Sequence, residues 1–233
     1  VASARPEPNP YSHWYIWTQS AWDNGGEDWK GRMVHGYSDR NGNYLINFFW
    51  SQPALNFGFG EPDPARPWQL PTTHPDVQRL WEEMKQIMEF WLRLGATGFR
   101  VDMAGSITRR DPGSSEARRF WREARARCEA IRPDFFTVAE WSHPTHCLDV
   151  TGLHADFLHW IPSYENLFRK ENGRTPGAPP KPPGHSWFDR EGKGDIHAFF
   201  QDYLRHYEAT RDKGLICIPA ANHDLPRLEA RLL

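Results

Sequence analysis

The sequence is poor in cysteine, in long apolar stretches and in excess charge of either sign. Its 233 residues include only Cys128, Cys147 and Cys217, which form no C-x-x-C pair. Neither a disulfide framework nor a zinc knuckle is predicted, and a reducing, cytoplasmic setting is favoured. No apolar run approaches the about 20 residues that cross a bilayer, so no membrane partner is expected. The 28 Lys and Arg residues balance 30 Asp and Glu residues, which argues against a nucleic-acid partner.

Aromatic residues are abundant instead, with 12 Trp, 14 Phe and 7 Tyr. Many lie in residues 1–72, among Asn, Gly and Pro, where no helical periodicity is sustained. The cluster at 39–43 is typical of a turn, and residues 44–50 after it predict a short strand. We interpret residues 1–72 as an irregular excursion subdomain. Aromatic faces in such loops could stack on sugar rings or nucleobases.

Helix and strand patterns alternate from residue 73 to residue 233. Repeated alternation of this kind predicts a parallel sheet with crossover helices. A (β/α)₈ TIM barrel is favoured over a doubly wound open sheet, because no G-x-G-x-x-G fingerprint is present. The predicted helices are 75–95, 115–131 and 195–211, the predicted strands are 98–103, 135–141, 155–160 and 215–221, and the Pro/Gly-rich stretch 162–184 is predicted to be a loop.

The predicted barrel is incomplete. Only four strands are visible, whereas a whole barrel has eight strands and about 250 residues. The fold class is therefore α/β, with a partial (β/α)₈ catalytic barrel at 73–233 preceded by the excursion at 1–72.

Three carboxylates, Asp102, Glu140 and Asp224, each follow a different predicted strand. The carboxyl ends of parallel strands meet at one rim of a barrel, so these groups are expected to converge. Side chains alternate along a strand, which puts Arg100 on the face of Asp102. Converging carboxylates raise one another's proton affinity, and glycoside cleavage needs one charged and one protonated carboxyl group. Alternatively, such residues cap turns, and Arg100 with Asp102 forms a structural ion pair.

Four short motifs resemble those of the α-amylase family of glycoside hydrolases (glycoside hydrolase family 13). Residues 98–102 (Gly-Phe-Arg-Val-Asp) look like its fourth-strand motif, and residues 139–141 (Ala-Glu-Trp) fall where the fifth strand carries the general acid/base. Residues 222–224 (Asn-His-Asp) look like the seventh-strand motif. Residues 52–56 (Gln-Pro-Ala-Leu-Asn) are similar to a motif near the end of its excursion domain. The motifs occur in the family's order over about 170 residues.

The resemblance implies a retaining double displacement on an oligosaccharide or other short α-glucoside. Asp102 would be the nucleophile, Glu140 the acid/base and Asp224 the transition-state stabiliser. Arg100 would orient Asp102, and His223 would bind sugar hydroxyls. Hydrolysis, transglycosylation and a trehalose-synthase-type isomerisation share these residues, so all three stay open. No cofactor is implied beyond a structural Ca²⁺ whose ligands would lie mostly outside this chain.

The sequence also departs from the family pattern. The third-strand motif, the first strands, the eighth strand and the C-terminal β-domain are missing, so we expect an interior fragment. Exposed barrel edges would favour aggregation, which counts against activity of the chain alone. Met103, which follows the expected nucleophile, and Ala54, within the motif at 52–56, match none of the family's subfamily variants.

Two other readings compete with the glycosidase. A binding or partner protein of the same fold would lack turnover, and retention of all three acids argues against it. A metal site is the other reading, although loop histidines are usually solvated and no metal ligand is assigned. The residues that suggest it are His143, His146, His154, His159, Asp149 and Asp156.

Overall fold

A computed structural model describes residues 1–29, 31–36, 38–161, 163–167, 186–188, 192 and 194–223. Asp224 and most of the predicted loop at 162–184 lie outside the described residues. The chain forms two compact units. The first comprises Val1–Gly95 and Ser106–Ile131, and the second comprises Ala96–Gly105 and Arg132–Leu233. None of these boundaries coincides with residue 72, and the division into an excursion at 1–72 and a partial barrel at 73–233 stays a prediction.

The N-terminal part of the first unit is irregular, as its Gly- and Asn-rich sequence indicates. Strands β1 (Met33–Val34) and β2 (Tyr44–Leu45) pair antiparallel. The predicted strand at 44–50 ends early, because the chain turns back on itself: Gln52 N–H donates to the Phe49 carbonyl at 2.9 Å. A buried apolar cluster organises this region, formed by Ile16, Trp29, Leu45, Ala54, Phe59 and Trp68.

The motif at 52–56 lies inside this irregular region. Ala54 is buried, and its peptide group bonds in both directions: its N–H donates to the Leu45 carbonyl at 2.7 Å, and its carbonyl accepts from Ile16 at 3.2 Å. Buried Asn56 accepts the N–H of Gly58 through Oδ1 at 3.2 Å. The motif therefore connects neighbouring segments of this irregular region through backbone hydrogen bonds.

Two long helices complete the first unit. Helix α1 (Pro75–Arg93) begins with proline in its first turn, and helix α2 (Ser115–Ile131) has the predicted bounds. Asp111 caps α2, accepting the N–H of Ala117 at 2.9 Å. The helices contact each other, and Arg127 of α2 donates to Glu82 of α1 at 2.6 Å. None of the helices in the described parts of the chain is long and apolar enough to cross a bilayer.

The second unit contains a four-stranded parallel sheet whose strand order follows the chain order. Its strands are shorter than predicted, and each forms within a predicted range. Helix α3 (Tyr164–Leu167) and helix α4 (Ile196–Thr210) come between the last two strands. Sequential parallel strands with helical crossovers are the repeating element of a (β/α)₈ barrel. The strands are β3 (Gly98–Val101), β4 (Phe136–Ala139), β5 (Ala155–Phe157) and β6 (Leu215–Cys217).

Gly98 allows β3 to lie close to β4. It is in register with Phe136, and a Cβ added at Gly98 would overlap the Phe136 carbonyl oxygen. The pairing brings the ends of the two strands, and the residues after them, to the same edge.

Candidate active site

Arg100 links two of the three predicted catalytic carboxylates. It lies in β3, and its Nη1 donates to Oδ1 of Asp102 just beyond the strand. Its Nη2 donates to Oε2 of Glu140 at 2.5 Å. Glu140 immediately follows β4, and its N–H donates to the Val101 carbonyl at 2.9 Å. One guanidinium thus holds two carboxylates from neighbouring strands, an arrangement of charge-assisted hydrogen bonds.

The two carboxylates differ in their access to solvent. The Asp102 side chain is 64% exposed, whereas that of Glu140 is 4% exposed. Oε1 of Glu140 faces Nε2 of fully buried His159 at 3.5 Å. Glu140 therefore has Arg100 on one oxygen and His159 on the other. Sequence reasoning missed this role of His159 and placed it only among candidate metal ligands. His159 lies just beyond β5, at the same edge of the sheet as Glu140 after β4. This strand-end position is the sequence signal that could have predicted the contact.

Asp156 in β5 holds the loop that follows Glu140. Its Oδ1 accepts the N–H groups of Trp141 and Ser142, each at 3.1 Å, and its Oδ2 accepts that of His143 at 2.7 Å. Asp156 is fully buried. Burial raises the pKa of its carboxyl to about 7, although the hydrogen bonds from the loop amides act in the opposite direction.

Ser142 makes a second connection between this loop and β5. Its hydroxyl donates to the Phe157 carbonyl at 2.6 Å and accepts the N–H groups of His159 at 3.0 Å and Trp160 at 2.9 Å. Its φ is +58°, an uncommon left-handed conformation for a residue other than glycine. Sequence reasoning missed Ser142, because a lone serine after a strand carries no motif.

The turn after Asp102 lies against the residue after Glu140. Met103 has a φ of +45°, and residues Ala104–Ser106 form a short 3₁₀ turn. A Cβ added at Gly105 would overlap the indole ring of Trp141. Glycine at 105 therefore allows the loops that carry the two carboxylates to approach each other.

Two further site residues, His223 and Asp224, are predicted from the sequence. His223 follows β6 and is exposed. Asp224 lies outside the described residues, so its convergence with Asp102 and Glu140 stays a prediction.

The histidines that suggested a metal site have separate roles. His154 Nδ1 contacts the Thr137 hydroxyl at 2.9 Å, His159 faces Glu140, and the rings of His143 and His146 are 4.2 Å apart. Asp156 binds backbone amides rather than these rings. The candidate metal ligands at 143–159 therefore do not gather around one point in the described part of the chain.

His13, His74 and Asp76 bring three ligand atoms within 4.8 Å of one another. Their contacts form a helix cap. His74 Nδ1 accepts the Asp76 N–H at 3.2 Å, and His13 Nδ1 contacts Asp76 Oδ2 at 2.6 Å. Burial opposes ionisation of Asp76, but hydrogen bonds from His13 and Arg79 lower the pKa of its carboxyl. Because the acceptor lone pair of His74 is used by the helix, this cluster is not arranged for a metal.

Comparison with known families decides the affiliation. The family model described as the catalytic domain of alpha amylase matches residues 2–151. The chain belongs to the alpha-amylase family. That match includes Asp102 and Glu140 and the motif at 52–56.

Curated relatives of the chain carry several functional names. It is 26% identical over 217 residues to alpha-amylase 3 of Dictyoglomus thermophilum, covering 91% of this chain and 36% of that protein. It is 26% identical over 114 residues to an oligo-1,6-glucosidase of Heyndrickxia coagulans, covering 47% and 17%. It is 32% identical over 183 residues to the amino acid transporter heavy chain SLC3A1 of Homo sapiens, covering 73% and 22%. The chain thus spans about a third or less of the length of these relatives.

Solved structures confirm the fold. The trehalulose synthase MutB of Pseudomonas mesoacidophila aligns with a TM-score of 0.63 at 16% identity, covering 98% of this chain and 40% of that one. The trehalose-6-phosphate hydrolase TreA of Bacillus licheniformis aligns with a TM-score of 0.63 at 17% identity, covering 99% and 40%. The prediction of an incomplete (β/α)₈ barrel is confirmed.

Proposed function

We propose that Arg100, Asp102 and Glu140 belong to the catalytic centre of a retaining α-glycosidase or transglycosylase that acts on short α-glucosides. The observation that supports this proposal is the arrangement of the carboxylates. Arg100 holds an exposed carboxylate, Asp102, beside a buried one, Glu140. A retaining enzyme needs these two roles, an accessible nucleophile and an enclosed proton donor. The names of the oligo-1,6-glucosidase and trehalulose synthase relatives support short glucosides as substrates.

In the first step Asp102 attacks the anomeric carbon of the substrate. The carbon–oxygen bond to the leaving group breaks as a β-glycosyl ester forms on Asp102, and Glu140 gives its proton to the departing oxygen. Arg100 orients both carboxyl groups through two separate N–H donors, so the nucleophile and the proton donor are in position before the reaction begins.

In the second step Glu140, now a carboxylate, removes a proton from the acceptor. The acceptor oxygen bonds to the anomeric carbon as the ester bond to Asp102 breaks, which releases the product and frees the Asp102 carboxylate. Water as acceptor gives hydrolysis, and a sugar hydroxyl gives transglycosylation. Asp224 would stabilise the charge that develops on the ring, and His223 would bind sugar hydroxyls. No organic cofactor is needed, because the two carboxyl groups supply both the nucleophile and the proton.

The proposal also includes the domain division of the chain and the cellular location of the protein. Residues 1–72 would be the family's excursion domain and 73–233 part of its barrel. A cytoplasmic location is supported by the three cysteines, all of which are free thiols.

The test is the variant Glu140→Ala in the full-length protein that contains this chain, assayed on aryl α-glucosides. Loss of the proton donor should slow release of a poor leaving group by about 100-fold or more and leave a dinitrophenolate leaving group much less affected. Added azide should restore turnover and give a glucosyl azide, because an anionic nucleophile needs no general base. Exposed Glu83 supplies a control, and Glu83→Ala should behave like the parent protein. Equal losses for both leaving groups, without azide rescue, would overturn the acid/base assignment.

A partner or binding protein is the second candidate. The similarity to a protein named as a transporter heavy chain, at 32% identity, favours it. The two candidates differ in turnover: a binding protein would release no nitrophenol from an activated α-glucoside at any enzyme concentration.

An isomerase is a further candidate, because one of the structures with this fold is named a trehalulose synthase. An isomerase differs from a hydrolase in its products. Product analysis by NMR distinguishes them, because an isomerase converts one disaccharide to another, whereas a hydrolase releases free monosaccharides.

A further inference from the structure

We propose that Asp156 is a positioning residue for the acid/base Glu140. It holds the three peptide groups that directly follow Glu140 and thereby sets where the Glu140 carboxyl group lies. This inference rests on the proposed function of Glu140, and it assigns a new role to a residue that touches neither substrate nor reacting atoms.

The geometry supports this role because the sheet hydrogen bonds of this strand end at Glu140, whose N–H donates to the Val101 carbonyl. The β4 ladder ends at Ala139, which is in register with Asp156 on β5. Beyond it, the N–H groups of Trp141, Ser142 and His143 all point to the Asp156 carboxyl group, at 3.1, 3.1 and 2.7 Å. One side chain of the neighbouring strand therefore binds all three backbone N–H groups that follow Glu140.

A carboxylate suits this task better than an amide. Its two oxygens accept all three N–H groups, whereas asparagine has one acceptor oxygen and a donor NH₂. Holding the carboxylate here has a cost, since the side chain is fully buried and burial raises the pKa of Asp156 to about 7. The hydrogen bonds from the loop N–H groups offset part of that cost, because they stabilise the charged form of the carboxyl group.

Ser142 extends the same support to the other side of Glu140. Its hydroxyl accepts the backbone N–H of His159 at 3.0 Å, and the His159 ring faces Glu140 Oε1 at 3.5 Å. The loop held by Asp156 therefore also fixes the backbone that carries this second contact of Glu140.

The decisive variant is Asp156→Asn in the full-length protein that contains this chain. It keeps the side-chain volume and the Oδ1 acceptor but turns an NH₂ group toward the N–H of His143. Misplacement of Glu140 should lower kcat/KM about 100-fold for aryl glucosides with a poor leaving group. It should lower kcat/KM only a few-fold for a dinitrophenolate leaving group, which departs without a proton. Thermal unfolding establishes whether the variant is folded. Asp134→Asn, at an exposed aspartate of the same unit, is the matched control and should change neither rate.

Each result of these variants either supports the inference or overturns it. A leaving-group-selective loss in folded Asp156→Asn supports the inference, and a uniform loss or no loss overturns it. If Asp156→Asn does not fold, Ser142→Ala decides by the same criterion, with an expected selective loss of about tenfold. If Glu140→Ala itself shows no leaving-group selectivity and no azide rescue, the proposed function fails whatever the Asp156 variant does.

Discussion

Arg100 joins the ends of two neighbouring parallel strands by donating from Nη2 to Oε2 of buried Glu140 at 2.5 Å. The other arm of the same guanidinium donates to Asp102. A planar fork can serve two carboxylates in a defined geometry, whereas a lysine ammonium is a point charge on a flexible stem.

Replacing Arg100 by lysine should therefore lower kcat/KM about 10- to 100-fold, since a displacement of about 1 Å at a reacting group is that costly. Steady-state kinetics of the full-length protein measure this. Exposed Arg118 supplies the control, and Arg118→Lys should leave the rate unchanged. A fully active Arg100→Lys protein would show that the bridge has no role in catalysis.

Gly98→Ala should destabilise the sheet. The added methyl group would overlap the Phe136 carbonyl oxygen, so β3 and β4 would have to move apart. We expect the free energy of unfolding to fall by about 2 kcal/mol or more, in the range for overpacked sites. Urea unfolding followed by circular dichroism measures this change. An unchanged midpoint would show that the two strands lie further apart than described.

The Asp156 carboxyl group should make stability depend on pH. Its pKa of about 7 in the folded protein lies above the ordinary value of 3.8, so the folded state binds this proton more tightly than the unfolded state. Its contribution to stability is therefore full below about pH 4 and is lost as pH rises through 7.

Urea midpoints at pH 5 and pH 7.5 test this linkage. The midpoint of the parent protein should fall more between these pH values than that of Asp156→Asn, which cannot ionise. Parallel changes in the two proteins would show that Asp156 does not titrate in this window.

Two of the three thiols should resist alkylation in the folded protein. Cys128 and Cys147 are buried, and burial raises the pKa of Cys128 to about 11 and that of Cys147 as well. Cys217 is partly exposed, although burial raises its pKa too. Because the thiolate is the reactive form, iodoacetamide at pH 8 should modify Cys217 first. Peptide mass spectrometry gives the order, and early modification of Cys147 would contradict its burial.

Local patterns in the sequence predict much of the fold and the centre of the site. Helix α2 has its predicted bounds, because its apolar spacing is regular and Pro133 follows its end. Alternation along β3 correctly places Arg100 beside Asp102, and the strand-end position of Glu140 brings it to the same edge. These inferences need only periodicities within one strand or helix, together with the rule that the carboxyl ends of parallel strands lie at the same edge of the sheet.

The support of the site could not be predicted in this way. Asp156 reaches Trp141 to His143 only because β5 pairs with β4 in one particular register, which joins residues about 15 positions apart. The predicted strand at 44–50 was wrong beyond Leu45 for a similar reason. Its aromatic residues favour a strand, but the chain instead forms a turn in which the Gln52 N–H donates to the Phe49 carbonyl.

Covalent trapping tests the catalytic assignment of this chain most directly. A fluorinated α-glucosyl fluoride reacts with a retaining enzyme to form a glycosyl ester that breaks down slowly, because fluorine destabilises the oxocarbenium-like transition state. The full-length protein should gain one fluoroglucosyl group, and peptide mass spectrometry should locate it on Asp102. Asp102→Asn should gain none. A label on another carboxylate, or no label on a protein that hydrolyses α-glucosides, would contradict the assignment of Asp102 as the nucleophile.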